Sequence, residues 1–121
     1  MIKVEPNLLQ LKEVNDQTAV VLMTHSYAKD LQYLIALKEN NPVYIGLVGA
    51  MKRGKKLIND FIDHHPLVED DFLEKFHSPA GLNIGAETPQ EIAVSICSEI
   101  LSVIRQQKPD FLKNKRVSDG R

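Results

Sequence analysis

HSPAGLNIGAETPQEIAVSICSEILSVI, residues 77–104, is the stretch whose reading decides the fold. Its first part holds a glycine-containing turn, Gly81-Leu82-Asn83-Ile84-Gly85-Ala86, in which residues 82–84 are read as a short strand. A helix start follows. Thr88 is placed as N-cap, Pro89 takes the first helical position, and Glu91 stands at the third. This is a capping box with proline where the missing N–H costs nothing. Ile92, Ala93, Ile96, Cys97, Ile100, Leu101 and Ile104 then recur at intervals of three and four. That spacing predicts one apolar stripe along a helix of about four to five turns, with Cys97 a buried, inert thiol on the core side.

Upstream, the apolar runs are short and continuous. Residues 19–24 (AVVLMT) and 43–48 (VYIGLV) are rich in β-branched side chains and do not alternate with polar ones. Runs of that kind suit parallel strands buried on both faces. Gly46 inside the second run predicts a close backbone approach by another segment. A helix is expected over 27–40, with Leu31, Leu34, Ile35 and Leu37 inward, and another over 51–64, with Leu57, Ile58, Phe61 and Ile62 inward. A short helix fits 69–76, facing Phe72, Leu73 and Phe76 to the core. Ile2 and Val4 read as an edge strand. Residues 1–107 are taken as one domain and 108–121 as a polar, basic tail, expected to be loosely ordered.

Strands alternating with helices imply a parallel sheet with right-handed crossovers. The motif P-x-G-L-x-I-G-A-x-T-P-x-E-I-A-x-S-I-x-x-E-I, from Pro79 to Ile100, resembles the closing motif of the XdhC/CoxI-type family. V-V-L-M-T-H and Y-I-G-L-V-G precede it in the family's order, so the resemblance covers residues 17–105. It implies an α/β fold: a partial, three-layer Rossmann-like domain with a small parallel sheet and a long C-terminal helix. By the same resemblance the chain is an accessory factor, not itself an enzyme, that helps mature molybdenum hydroxylases such as xanthine dehydrogenase. Such factors bind the molybdenum cofactor, assist its sulfuration, and deliver it to the apo-enzyme. The family's upstream strand, glycine-rich turn and helix have no counterpart here, and no G-x-G-x-x-G occurs. The chain is therefore similar to the C-terminal part of the family domain. A sheet this small is expected to be completed by a homo-oligomer or a partner chain.

Ligands of open parallel sheets sit beyond the carboxyl ends of the strands. Three segments reach that edge: Thr24-His25, Gly46 to Gly49, and Gly81 to Glu87. The candidate cofactor-binding residues are Thr24, His25, Gly46, Gly49, Lys52, Gly81, Gly85, Ala86, Glu87 and Thr88. His25 either touches a ligand or ties down the following loop. Ser26 stands where the family often has an acidic residue. Gly49-Ala-Met-Lys-Arg-Gly54-Lys55 has phosphate-loop spacing. Yet Lys56 occupies the position of the magnesium-binding hydroxyl, and Gly54 falls inside the expected helix. The choice there is between an anion held by Lys52, Arg53 and a helix start, and a solvated basic face. Gly81, Gly85, Glu87 and Thr88 either cradle an anion or serve only the turn and the cap. The cofactor implied is the molybdenum cofactor; NAD(P) or another nucleotide is the alternative, for an oxidoreductase domain. A structural dimerisation module is a third reading.

The totals exclude several classes. With 121 residues there is room for a single domain, and 43% apolar with 26% charged residues is an ordinary soluble balance. A formal charge of −1 points to neither nucleic acid nor an anionic membrane. One cysteine excludes an internal disulfide, and His64, His65 and His77 lack metal-ligand spacing. No signal peptide or membrane-length apolar run is present, so the cytoplasm is the expected location.

Overall fold

The computed structural model describes residues 14–115. The two apolar runs form β1 (Ala19–Leu22) and β2 (Tyr44–Leu47), paired in parallel with Ala19 opposite Tyr44 and Leu22 opposite Leu47. The helix between them is α1 (Tyr27–Leu37). Ser26 caps it, its side chain accepting from the Lys29 amide. The chain leaves β2 into α2 (Met51–His64), then α3 (Asp70–Leu73), and returns as β3 (Phe76–His77), parallel to β2. The sheet order is β1-β2-β3. The closing stretch forms α4 (Pro89–Ile104), followed by a short 3-10 turn at Leu112–Asn114.

Alternation along the strands sorts their side chains between two layers. Leu22, Ile45 and Leu47 join Leu34, Leu37, Leu57, Phe61 and Phe72 in one core beneath α1, α2 and α3. Phe76 meets Phe61 and Phe72 edge-on in that layer. Tyr44, Gly46 and His77 take the opposite face, under α4. Three layers result: helices, sheet, helix.

Several expectations are corrected. Residues 82–84 are not a strand; the third strand is Phe76–His77, where a helix end was expected. A carbonyl of Lys75 accepts from the Ile45 amide at 2.8 Å, so the ladder starts immediately after α3. The α4 stripe was expected to face the core, but only Ile96 is buried; Val94, Leu101 and Ile104 are each more than half exposed. Cys97 is exposed, not buried. The reason lies in Ser95 and Glu99, whose polar contacts fix the rotation of the helix. The edge strand expected at Ile2 and Val4 lies outside the described residues. Among the described residues, no helix is long and apolar enough to cross a membrane.

Candidate functional site

Hydrogen bonds gather the ends of the strands. The Val48 amide donates to Leu22 O at 3.2 Å, and the Ala80 amide to Leu47 O at 3.0 Å. The loops after β1, β2 and β3 therefore leave the same edge of the sheet. Thr24 is fixed there: its hydroxyl lies 2.7 Å from Asp30 Oδ1 and 3.1 Å from Ser26 O. Asp30 is buried in the first turn of α1, and its other oxygen accepts from Arg53 of α2 at 3.0 Å. Asp30 thus ties the first loop to the start of α2. Its place on the buried Asp30, Leu34, Leu37 spacing is a signal the sequence does carry. An acid on an apolar stripe needs partners.

His25 does not tether the loop; among the described residues its ring has no hydrogen-bond partner. It is exposed, with a backbone φ of 63°. Thr24 holds the loop instead. Gly49 is also exposed, at φ 123°, with nothing within 4 Å of where a side chain would begin. The first turn of α2 has no side-chain cap and no acid, and Lys52 projects from it into solvent. Arg53 is engaged by Asp30, and Lys56 lies 4.3 Å over the Tyr27 ring and 3.6 Å from Asp60. The tyrosine hydroxyl donates to that same carboxylate. Burial and the Asp60 carboxylate push the Tyr27 phenol up to about 12. The Tyr27 hydroxyl in turn holds Asp60 below its ordinary value.

Gly54 lies within α2, as the helical reading required, so this is no phosphate loop. A Cβ at Gly54 would stand 1.8 Å from Ser78 Oγ, so glycine lets the Ser78 side chain pack directly on the helix. Gly46 is buried. A Cβ there would meet the Tyr44 ring at 2.8 Å and Ala80 at 3.0 Å, so its role is packing and a ligand cannot reach it.

The second half of the candidate set follows α4. The Gly81 amide donates to Glu99 Oε1 at 2.9 Å, and Ser95 Oγ donates to Leu82 O at 2.8 Å. Gly85 is open, at φ 76° with nothing near it, and Ala86 is half-buried. Thr88 accepts from the Glu91 amide at 3.1 Å, while Glu91 Oε1 accepts from the amides of Glu87 and Thr88 at 2.9 and 3.1 Å. Those two amides lower the carboxyl below its ordinary value. The start of α4 is thus filled by its own carboxylate and does not fit an anion. Thr24, Gly49, Lys52 and Ala80 share the sheet edge; among the described residues no hydrogen bond joins Gly85, Glu87 or Thr88 to Thr24 or Gly49.

A polar cluster beneath α4 was not foreseen. Tyr44, wholly buried, donates to Glu99 Oε1 at 2.6 Å. His77 stacks on the Tyr44 ring at 4.5 Å and brings Nδ1 within 3.4 Å of the same oxygen. Burial, then the Glu99 carboxylate, raises the phenol above its ordinary value. A neutral tyrosine is held there as a donor, and the cluster clamps the Gly81 turn. Ser95, Glu99 and Ser102, spaced along one side of a mostly apolar helix, were the available signal.

A parallel sheet with helices on both faces and its loops gathered at the strand ends defines a Rossmann-like α/β domain. Residues 2–100 match the family model described as the XdhC Rossmann domain, and the chain belongs to that family. It is 42% identical over 83 residues to a probable xanthine dehydrogenase subunit of Bacillus subtilis (strain 168), covering 69% of this chain and 22% of that protein. It is 24% identical over 98 residues to the molybdenum cofactor insertion chaperone PaoD of Escherichia coli (strain K12), covering 81% of this chain and 30% of that one. A solved structure of a xanthine dehydrogenase from Bacillus halodurans matches with a TM-score of 0.67 at 29% identity, over 98% of this chain and 32% of the other. The chain spans less than a third of the length of each of these proteins.

Proposed function

We propose that this chain is the Rossmann-type part of a maturation factor for a molybdenum hydroxylase, and that it holds the molybdenum cofactor as cargo before insertion into the apo-enzyme. Family membership, and a relative named as a molybdenum cofactor insertion chaperone, carry the reading. On this reading the cargo's phosphate would rest at the start of α2. The uncapped start of α2, beside the open Gly49 and the solvent-facing Lys52, fits an anion. The start of α4 does not. His25 borders the same edge and is free to touch the bound group. Thr24 acts through Asp30, positioning that loop. The molybdenum centre supplies redox chemistry to the client enzyme; this chain's own residues bind and orient the cargo.

Thermal-shift titration with isolated molybdenum cofactor, CTP, NAD(H) and NADP(H) tests the reading. Stabilisation by the cofactor, weakened by Lys52→Ala and His25→Ala with apo melting unchanged, is the expected result. A response to nicotinamide nucleotides alone would make the domain an oxidoreductase part instead. Silence to all ligands would leave a structural module.

A further inference from the structure

An open hollow lies at the amino ends of the strands, the edge opposite the loops described above. It holds about 480 Å³, within the size range of small-molecule sites. Val43, just before β2, and Val103, in the last turn of α4, give it two apolar walls. Asp71 of α3 and Glu74, the residue that ends that helix, add two carboxylates. Both are exposed, and among the described residues neither has a hydrogen-bond or ion-pair partner. Lys75 also lines the hollow, but its ammonium donates to Asn41 Oδ1. His77 lines it from β3. The Glu99 carboxylate stands 3.4 Å from His77 Nδ1 and favours the proton on that nitrogen, so Nε2 is left as an acceptor.

We propose that this hollow is a second binding site, for a small organic cation with N–H donors at both ends, such as an alkyl diamine. Asp71, Glu74 and the neutral His77 ring all accept, while Lys75, the one ammonium on the wall, is engaged. Such a lining selects a cationic donor over an anion. Among the described residues no three acid, cysteine or histidine side chains converge as a metal ion requires, so the acceptors are spaced for a longer ligand. The methylene chain between two ammonium groups would lie along Val43 and Val103. The last turn of α4 carries no base, and its carbonyl end adds negative potential beside Val103. Arg105, the next base beyond it, does not line the hollow. The site stands apart from the start of α2 and does not depend on the cargo reading. It is nevertheless joined to the opposite edge. Glu99 Oε1, beside His77, accepts the Gly81 amide at 2.9 Å, so a cation on His77 acts on the turn after β3 through one carboxylate.

NMR titration of the full chain with 1,4-diaminobutane, at about pH 7.5 where imidazole is ordinarily neutral, tests this. The expected result is a saturable shift of the His77 ring nitrogens, accompanied by the Gly81 amide. Asp71→Asn and Glu74→Gln should each weaken binding roughly two- to fivefold, as for exposed ion pairs, and the double variant more. Asp63→Asn removes an exposed acid outside the hollow and should leave binding unchanged. 1,4-Butanediol, of equal length but without charge, should not bind. The proposal is overturned if the diol binds as well, if Asp63→Asn weakens binding as much, or if Mg²⁺ shifts the same resonances. It is overturned too if no ligand gives a saturable shift, or if only a tetralysine peptide does, which would make the hollow a docking point for a polypeptide.

Discussion

Tyr44 of β2 and Glu99 of α4, 55 positions apart in the chain, share a hydrogen bond of 2.6 Å beneath the last helix. The same carboxylate oxygen accepts the Gly81 amide at 2.9 Å, so one residue joins strand, turn and helix. Tyr44→Phe keeps the ring and its stacking on His77 but removes the donor. A stability loss of about 1–2 kcal/mol follows, seen as a fall in Tm of roughly 5–10 °C. Faster amide exchange at Gly81 is expected as well. An unchanged melt and unchanged exchange would show that the bond carries no weight.

Gly54 and Ser78 occupy one space. Gly54→Ala places a methyl group 1.8 Å from Ser78 Oγ, so the Ser78 side chain must shift to admit it. Overpacking of this kind costs about 1–3 kcal/mol. Ser78→Ala in the same chain removes the colliding oxygen, leaving Ser78's Cβ position 3.1 Å away. The double variant is therefore expected to recover most of the loss in a denaturant titration. Additive losses would refute the shared contact.

Asp30 serves both Thr24 and Arg53 from a buried position. Asp30→Asn keeps the shape but withdraws the charge from Arg53, at a cost of about 1–3 kcal/mol. The effect is local as well as global. The loop at Thr24-His25 loses its anchor, so limited proteolysis there should quicken before α4 responds. Equal protection in both proteins would argue against the anchor.

Acid stability follows from two carboxyls held low. Glu91 lies below its ordinary 4.5, chiefly through the Glu87 and Thr88 amides, and Asp60 below its ordinary 3.8, chiefly through the Tyr27 hydroxyl. A lowered folded value means the unfolded chain binds the proton more readily. The stabilisation is thus present above the ordinary values and lost as pH falls through the lowered ones. Melting temperatures taken from neutral pH down to about pH 3 should fall in wild type below about pH 4.5. Glu91→Gln starts lower and shows a flatter acid limb, because the group that titrates is gone. Parallel curves for the two proteins would contradict the assignment.

Local signals in the chain were enough for β1, β2 and the helices. The continuous runs at Ala19 and Val43 identified the parallel strands, and the Thr88-Pro89-Glu91 cap located the start of α4 to the residue, because capping and burial act over a few neighbours. β3 escaped because a two-residue strand has no periodicity, and Lys75 to His77 pair only because β2 is already there. The direction in which α4 faces was equally hidden. Counting apolar residues turned the stripe inward; the bonds from Ser95 to Leu82 and from Glu99 to Tyr44 turn it outward. Of the candidate site, Thr24, Gly49 and Lys52 could be placed at the strand ends from spacing alone. That Gly46 is sealed by Tyr44 and Ala80, that Arg53 is claimed by Asp30, and that the start of α4 is occupied by Glu91 depend on distant parts of the chain or on side-chain direction. Sequence patterns report each residue's preference for water or hydrocarbon; only the folded chain decides which partner satisfies it.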